Sequence, residues 1–227
     1  MTITITDGAV TRRSLSLSIL GRGRATLHFQ RKFYHLIMGL GCFCAYAFFL
    51  DRLSALLLLG LMGGTLVACD VMRFKIPALR RYAVSLFGNV MRREELRSLS
   101  GNSFYVFGLF LIVIFFPKDL VLLSILFLAV GDPAAALVGT AFGRHRLFGK
   151  KSLEGALANF AASLTVALLF GMFYLGLAFP RSLTLAFIGA LVSVISELLP
   201  TRLDDNFTIP VLSCSLLYLV CLFFPIL

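Results

Sequence analysis

The chain has 227 residues, of which 59% are hydrophobic and 14% are charged, and its formal net charge is +10. Its mean hydropathy is +0.94. Soluble domains are about 45–50% apolar and about 25% charged, so this composition excludes an ordinary soluble protein. It predicts a chain embedded in a lipid bilayer.

Seven continuous apolar stretches follow one another along the chain, each long enough, or nearly so, to cross a hydrocarbon layer of about 30 Å. They are Phe33–Leu50, Leu53–Cys69, Ser103–Phe116, Leu120–Ala141, Leu153–Phe179, Leu183–Leu199 and Phe207–Leu227. Continuous stretches predict helices, because the strands of a membrane barrel would alternate apolar and polar residues. We therefore expect an all-α polytopic membrane protein with about seven transmembrane helices. A polar segment, 1–30, precedes a single transmembrane domain, 31–227.

The distribution of Lys and Arg predicts the orientation of these helices. Alternate connecting segments carry 18 of these residues on one side of the membrane and 3 on the other. Because cytoplasmic loops carry the excess, the N-terminus is predicted to be cytoplasmic, in the cytoplasmic membrane if the protein is bacterial. Topology thus explains the basic charge without a nucleic-acid partner, although this face would attract lipid headgroups or nucleotide phosphates. The loop 70–102 fits either an amphipathic surface helix or a solvated loop.

Three polar residues mark the start of the first helix. Arg31 and Lys32 fit an interfacial position, from which long basic side chains reach the headgroups. His35 lies one turn deeper and shares a helical face with Arg31. Two interpretations of His35 stay open, a polar residue within the packing and a residue that faces the substrate.

The fourth helix carries a carboxylate, Asp132, inside its apolar stretch. A charge at the bilayer centre costs about 2.5–3.5 kcal/mol on insertion scales, so we expect Asp132 to serve a bound ion or partner. The same cost predicts that Asp132→Asn is no less stable than the wild type. Pro133 predicts a break or kink at which Asp132 caps a second half-helix. A kink in which Asp132 pairs with a neighbouring Arg or Ser is the structural alternative.

The segment after this helix combines glycines and two lysines with a serine at the start of the next apolar stretch. The residues concerned are Gly139, Gly143, Gly149, Lys150, Lys151, Ser152 and Gly155. Free backbone N–H groups, a positive helix end and ammonium groups are the components of a phosphate cradle. The spacing is not that of a Walker A loop. A cytoplasmic turn in which Ser152 caps the helix is the alternative.

The last loop supplies oxygen ligands of the kind that Mg²⁺ prefers, in Asp204, Asp205 and Asn206. A capped helix start explains one of these residues. It does not explain why another carboxylate, Glu197, lies in the preceding apolar stretch.

Together these motifs resemble those of the CTP-dependent lipid kinase family that includes dolichol kinase, phytol kinase and yeast-type diacylglycerol kinase. The likeness covers residues 31–212. Its pieces are the RKxxH motif from Arg31, the segment from Leu99 to Tyr105, GDPAAALVGTAFG from Gly131, KKSLEGALANF from Lys150 and DDNFTIP from Asp204.

The resemblance implies a kinase that transfers the γ-phosphoryl group of CTP to the hydroxyl of a membrane lipid alcohol, which could be a polyprenol such as dolichol, phytol or diacylglycerol. The residues implied to hold the nucleotide are Gly139, Gly143, Lys150, Lys151, Ser152 and Gly155. Those implied to supply the base, or ligands to Mg²⁺ or another divalent cation, are Asp132, Glu154, Asp204, Asp205 and Asn206, with His35 a further catalytic candidate and Arg31 and Glu197 nearby. Two other functions stay open. One is a phosphatidate cytidylyltransferase that makes CDP-diacylglycerol, and the other is a non-enzymatic ion-coupled transporter.

Overall fold

The computed structural model describes residues 31–76, 78–79, 81, 98–149, 151–201 and 203–223. In this part of the chain seven long helices follow one another. They are α1 (Arg31–Phe49), α2 (Arg52–Lys75), α3 (Gly101–Phe115), α4 (Lys118–Phe142), α5 (Leu153–Tyr174), α6 (Phe179–Leu198) and α7 (Asp205–Phe223). The predicted all-α polytopic membrane fold is confirmed. Segment 1–30 and most of the predicted amphipathic stretch in the loop 70–102 lie outside the described residues.

One small element was not expected in an all-α chain. Two short antiparallel strands, β1 (Arg146–Phe148) and β2 (Lys151–Ser152), form a hairpin between α4 and α5. Gly149 lies in its turn with φ +56°, a conformation that glycine adopts without steric cost. Only the middle of the segment predicted to cradle phosphate is therefore a hairpin, since Gly139 lies on α4 and Gly155 on α5.

The helix α4 forms the centre of the bundle. Of its apolar window 72% is buried inside the protein, whereas only 11% is buried in α1 and in α2. α4 packs against α5 and α7, and α3 packs against α2 and α7. Consequently α1 and α2 present most of their surface to the lipid.

The predicted break at Asp132 is wrong, because α4 continues through it. Gly131 and Asp132 both have helical dihedral angles, and the side chain of Asp132 does not cap a half-helix. Instead, residues Phe127–Gly131 are wound as a π-helix. The wider winding accommodates the missing N–H and the bulk of Pro133 without breaking the helix.

Because α3 is short, it begins inside the bundle. Six of the described helices are long and apolar enough to cross a membrane, but α3 has only 15 residues, or about 22 Å. α3 ends at a two-residue turn from which α4 begins. Gly101 precedes this turn by as many residues as Asp132 follows it. The start of α3 therefore lies at about the level of Asp132.

Candidate functional site

Five charged side chains from five elements meet at the end of the bundle where α1, α3, α5 and α7 begin. We call them the charged cluster; its members are Lys32, Asp132, Lys151, Glu197 and Asp205. Lys32 Nζ lies 2.5 Å from Asp132 Oδ2. Lys151 Nζ lies 3.8 Å from a carboxylate oxygen of Glu197 and 3.8 Å from one of Asp205. The two groups lie close enough for their charges to interact.

The ion pair between Lys32 and Asp132 is largely buried. The two side chains are 12% and 9% exposed. A carboxylate in this position is stable only when a cation compensates its lost hydration. The interfacial interpretation of Lys32 is therefore incomplete, because its ammonium group reaches into the protein and not only toward the headgroups. The sequence signal was the RK pair itself, but nothing in it identified Asp132 as the partner.

Lys151 joins the hairpin to the end of α6. Besides its two carboxylate neighbours, its ammonium group donates a hydrogen bond to the carbonyl oxygen of Glu197. This carbonyl belongs to the last turn of α6, where a cation also interacts favourably with the helix dipole. The lysine predicted to contact nucleotide is thus held in the charged cluster by α6 and α7 together. Its neighbour Lys150 lies outside the described residues.

Of the three predicted oxygen ligands in the last loop, Asp205 joins the charged cluster and the other two organise the start of α7. Asp204 Oδ1 accepts a hydrogen bond from the backbone N–H of Asn206 at 2.9 Å. The carbonyl of Asp204 accepts from the N–H groups of Phe207 and Thr208. Asn206 Nδ2 donates to the carbonyl of Gly101 at 3.1 Å. These bonds tie α7 to α3 and thereby fix the position of Asp205.

Glu154 contacts the hairpin. Its carboxylate lies 2.8 Å from His145 Nδ1 and accepts a hydrogen bond from the backbone N–H of the same residue. This contact fastens the segment between α4 and β1 to the first turn of α5. The structure thus places Glu154 beside the hairpin and not in contact with the members of the charged cluster.

The glycines predicted to hold nucleotide allow α4 and α5 to approach each other closely. A Cβ atom on Gly155 would lie 2.8 Å from the carbonyl oxygen of Ala135, and one on Gly139 would lie 3.1 Å from Ser152 Oγ. A Cβ atom on Gly143 would also collide with Ser152. Ser152 itself caps α5, since its Oγ accepts from the N–H of Gly155 at 3.2 Å. Helix packing and capping therefore account for these residues, and they also set the position of the adjacent Lys151.

The remaining predicted residues lie on the first two turns of α1. Arg31 is partly buried beside Lys32. The ring of His35 meets that of Tyr105 edge-on, with centroids 5.5 Å apart. His35 also lines a cavity between the helices.

A second buried polar network, which the sequence did not reveal, holds the start of α3. Arg73 lies 3.0 Å from Asp70 and donates to the carbonyl of Ser98. Asp70 accepts hydrogen bonds from the Ser100 N–H at 2.8 Å and from the Ser103 hydroxyl at 2.7 Å. The only sequence signal was an acid and a base three residues apart at the end of an apolar stretch. The network fixes the level at which α3 enters the bundle.

The carboxylates of the charged cluster are the candidate ligands for a divalent cation. Within the described residues no group of three or more His, Cys, Asp and Glu is arranged to hold a metal. Mg²⁺, however, commonly uses one or two protein carboxylates and takes its other ligands from water and phosphate. Glu197 and Asp205 both lie within 3.8 Å of one nitrogen, which meets the first requirement. The cluster contains three carboxylates and two ammonium groups, so its negative charges outnumber its positive charges by one. An added cation would offset this negative charge before a polyphosphate approached.

The fold and the cluster define a polytopic helical membrane protein with an ionisable site at one end of its bundle. The chain is 32% identical over 164 residues to CTP-dependent diacylglycerol kinase 1 of Schizosaccharomyces pombe, a match that covers 66% of this chain and 74% of that protein. It is 30% identical over 212 residues to the enzyme of the same name from Eremothecium gossypii, covering 85% of this chain and 67% of that protein. An uncharacterized protein of Rickettsia prowazekii is 32% identical over 190 residues, with 82% and 90% covered. The chain belongs to the CTP-dependent diacylglycerol kinase family, a family of CTP-dependent lipid kinases.

No family model and no solved structure matches the chain. The similarity to named relatives, over 66% and 85% of the chain, confirms the resemblance noted from the sequence motifs. The matched length includes much more than the glycine and lysine segment alone.

Proposed function

We propose that the protein transfers the γ-phosphoryl group of CTP to the free hydroxyl of diacylglycerol, with phosphatidate and CDP as products. The names of its relatives support this substrate pair. The observation that carries the proposal is the charged cluster, in which a buried ion pair, Lys32–Asp132, adjoins a lysine flanked by two carboxylates. Phosphoryl transfer needs this kind of site, because it depends on positioning and charge neutralisation.

We propose that the domain 31–227 carries this activity with the charged cluster facing the cytoplasm, where CTP is dissolved. The support is the excess of Lys and Arg in the segments at the same end of the bundle. The hairpin and the start of α7 project at this end. A water-soluble nucleotide would therefore reach the cluster without crossing the lipid.

Lys32 and Lys151 would neutralise phosphate oxygens of CTP. Ammonium groups are suited to this role as point charges, and Lys151 already lies against a helix end that fixes its direction. Asp205 and Glu197 would hold a divalent cation. When bound, that cation supplies positive charge to the phosphates. Arg31, partly buried beside Lys32, would add a further charge at the same place.

Asp132 would act as the base that receives the hydroxyl proton. The lipid oxygen forms a bond to the γ-phosphorus of CTP. At the same time the bond breaks between the γ-phosphorus and the oxygen that links it to the β-phosphorus. CDP leaves with the electron pair, and the proton of the alcohol passes to the Asp132 carboxylate. Lys32, whose Nζ lies 2.5 Å from Asp132 Oδ2, would hold the carboxylate in place for this step.

The experiment that tests the proposal compares two positions of a radioactive label. Purified protein in nanodiscs receives diacylglycerol, Mg²⁺ and CTP labelled at either the α- or the γ-phosphorus. We expect the γ-label to appear in phosphatidate and the α-label to stay in CDP. A parallel reaction receives phosphatidate in place of diacylglycerol. A lipid that carries the α-label there, together with pyrophosphate, would show a cytidylyltransferase and contradict the kinase. ATP in place of CTP is expected to give much slower transfer.

A further inference from the structure

A second feature of the bundle, separate from the charged cluster, is an apolar cavity of about 190 Å³ between α1, α2, α3 and α4. Protein interiors are densely packed and contain few voids larger than a water molecule. A dry apolar cavity of about 150 Å³ already accommodates benzene. A space of this size between membrane helices therefore has room for part of a hydrocarbon chain.

Most of the polar residues that line the cavity, Tyr34, His35, Asn102 and Tyr105, lie near the starts of α1 and α3, and Tyr46 lies nearer the other end. His35 and Asn102 line the first of these ends, whereas Leu50 and Val113 line the opposite end. His35 lies three residues after Lys32, so the two side chains share a face of α1. Asn102 follows Gly101, whose carbonyl binds Asn206 beside Asp205. The more polar end therefore adjoins the charged cluster, and the opposite end runs toward the other side of the bilayer.

The wall of the cavity is open toward the lipid. Met38 on α1 and both Leu58 and Met62 on α2 line it and are 38%, 44% and 36% exposed. These helices are the ones with only 11% of their apolar windows buried. A molecule dissolved in the bilayer could enter between α1 and α2 without passing through water.

We infer that this cavity holds part of one acyl chain of the diacylglycerol acceptor, with the hydroxyl placed at His35 and Asn102. The inference rests on the proposed function. An amphiphile with one small uncharged polar end and an apolar chain matches a lining whose polar residues lie mainly at the end of His35 and Asn102. A phospholipid would have to bring its phosphate and headgroup to the same polar end. The second acyl chain stays in the bilayer, because the cavity volume accommodates part of one chain only.

A matched pair of substitutions on α2 tests this assignment. Leu59 lines the cavity, whereas Leu57 does not and is 67% exposed. Leu59→Phe fills the space, so we expect the KM for long-chain diacylglycerol to rise about five- to tenfold while the KM for CTP stays the same. Leu57→Phe should change neither. Equal effects of the two variants, or a rise in the KM for CTP alone, would overturn the assignment.

A second measurement does not depend on turnover. Diacylglycerol with a photoreactive diazirine on one acyl chain is irradiated with the protein in nanodiscs, and the labelled peptides are identified. We expect labels on Met38 and Met62, with competition from unlabelled diacylglycerol and none from phosphatidylcholine. Equal competition by phosphatidylcholine would show a general lipid site and contradict the inference. Specific labelling in a protein that transfers no phosphate from CTP would instead refute the proposed function and leave the cavity assignment intact.

Discussion

Several charged residues of this protein are stabilised by oppositely charged partners, on the same helix or on another element. Asp132 has Lys32, Asp70 has Arg73, and Lys151 has both Glu197 and Asp205. Desolvation makes each isolated charge unfavourable, so the loss of one partner costs more than the pair contributes. The effect of a substitution therefore depends on which charge remains.

Asp70→Ala is expected to destabilise the protein by about 3–5 kcal/mol, because it leaves the Arg73 guanidinium buried without its carboxylate. Asp70 and Arg73 are 5% and 7% exposed. Thermal unfolding in detergent measures the change. The double variant Asp70→Ala/Arg73→Ala should lose less stability than the sum of the single variants. Additive losses would show that the two residues do not act as a pair.

Lys151→Ala and Asp205→Asn are expected to separate nucleotide binding from metal dependence. The first removes an ammonium group that would meet phosphate, so the KM for CTP should rise at least tenfold with little change in the Mg²⁺ titration. The second removes a carboxylate charge that would bind the cation, so the Mg²⁺ concentration for half-maximal rate should rise. Initial rates over a grid of CTP and Mg²⁺ concentrations measure both. Identical shifts in the two variants would contradict these roles.

At the scale of the helices, close approach of backbones positions the site. Gly131 precedes Asp132 and packs against three polar residues of α5 and α6. A Cβ atom there would lie 2.6 Å from Asn159 Oδ1 and from Ser163 Oγ, and 3.2 Å from Ser193 Oγ. These side chains hydrogen-bond to one another at 2.8–2.9 Å. The buried network therefore sets the distance of α4 from α5 and α6 at the level of Asp132.

Gly131→Ala is expected to destabilise the protein by about 1–3 kcal/mol, since the added methyl group must displace packed atoms. Gly64→Ala is the matched control, because a Cβ atom on Gly64 would meet nothing within 4 Å. Unfolding temperatures of both variants in one detergent measure the difference. If the control lost as much stability as Gly131→Ala, the close packing at α4 would not be the cause.

The sequence predicts the helices well and their pairing poorly, for physical reasons. Apolar stretches are local, so the positions of the seven helices can be predicted directly. The Lys32–Asp132 pair joins residues 100 positions apart, and neither residue indicates which helices are neighbours. Because of the ion pair, Asp132→Asn is now expected to be less stable than the wild type, since the variant leaves Lys32 as the buried charge. Likewise, Pro133 predicts a disturbed helix, but packing around α4 decides that the disturbance is a π-helical segment.

At the scale of the whole molecule, the proposed site requires all its loops on one side of the membrane. Single cysteines at His145, Leu203 and Gly176, in a background without the five native cysteines, test this. A membrane-impermeant thiol reagent on sealed, oriented vesicles should label positions 145 and 203 from one face and position 176 from the other. Labelling of 145 and 203 from opposite faces would separate the hairpin from the start of α7 and exclude a common site.

The central claim is that Asp132, held by Lys32 in the charged cluster, enables phosphoryl transfer from CTP to diacylglycerol. Its most direct test measures γ-labelled phosphate in phosphatidate formed by the wild type, by Asp132→Asn and by Asp132→Asn/Lys32→Gln, which removes the remaining buried charge. We expect transfer by the wild type and at least a 100-fold loss in both variants, while the double variant unfolds near the wild-type temperature. Transfer at the wild-type rate by a folded Asp132→Asn variant would contradict the claim.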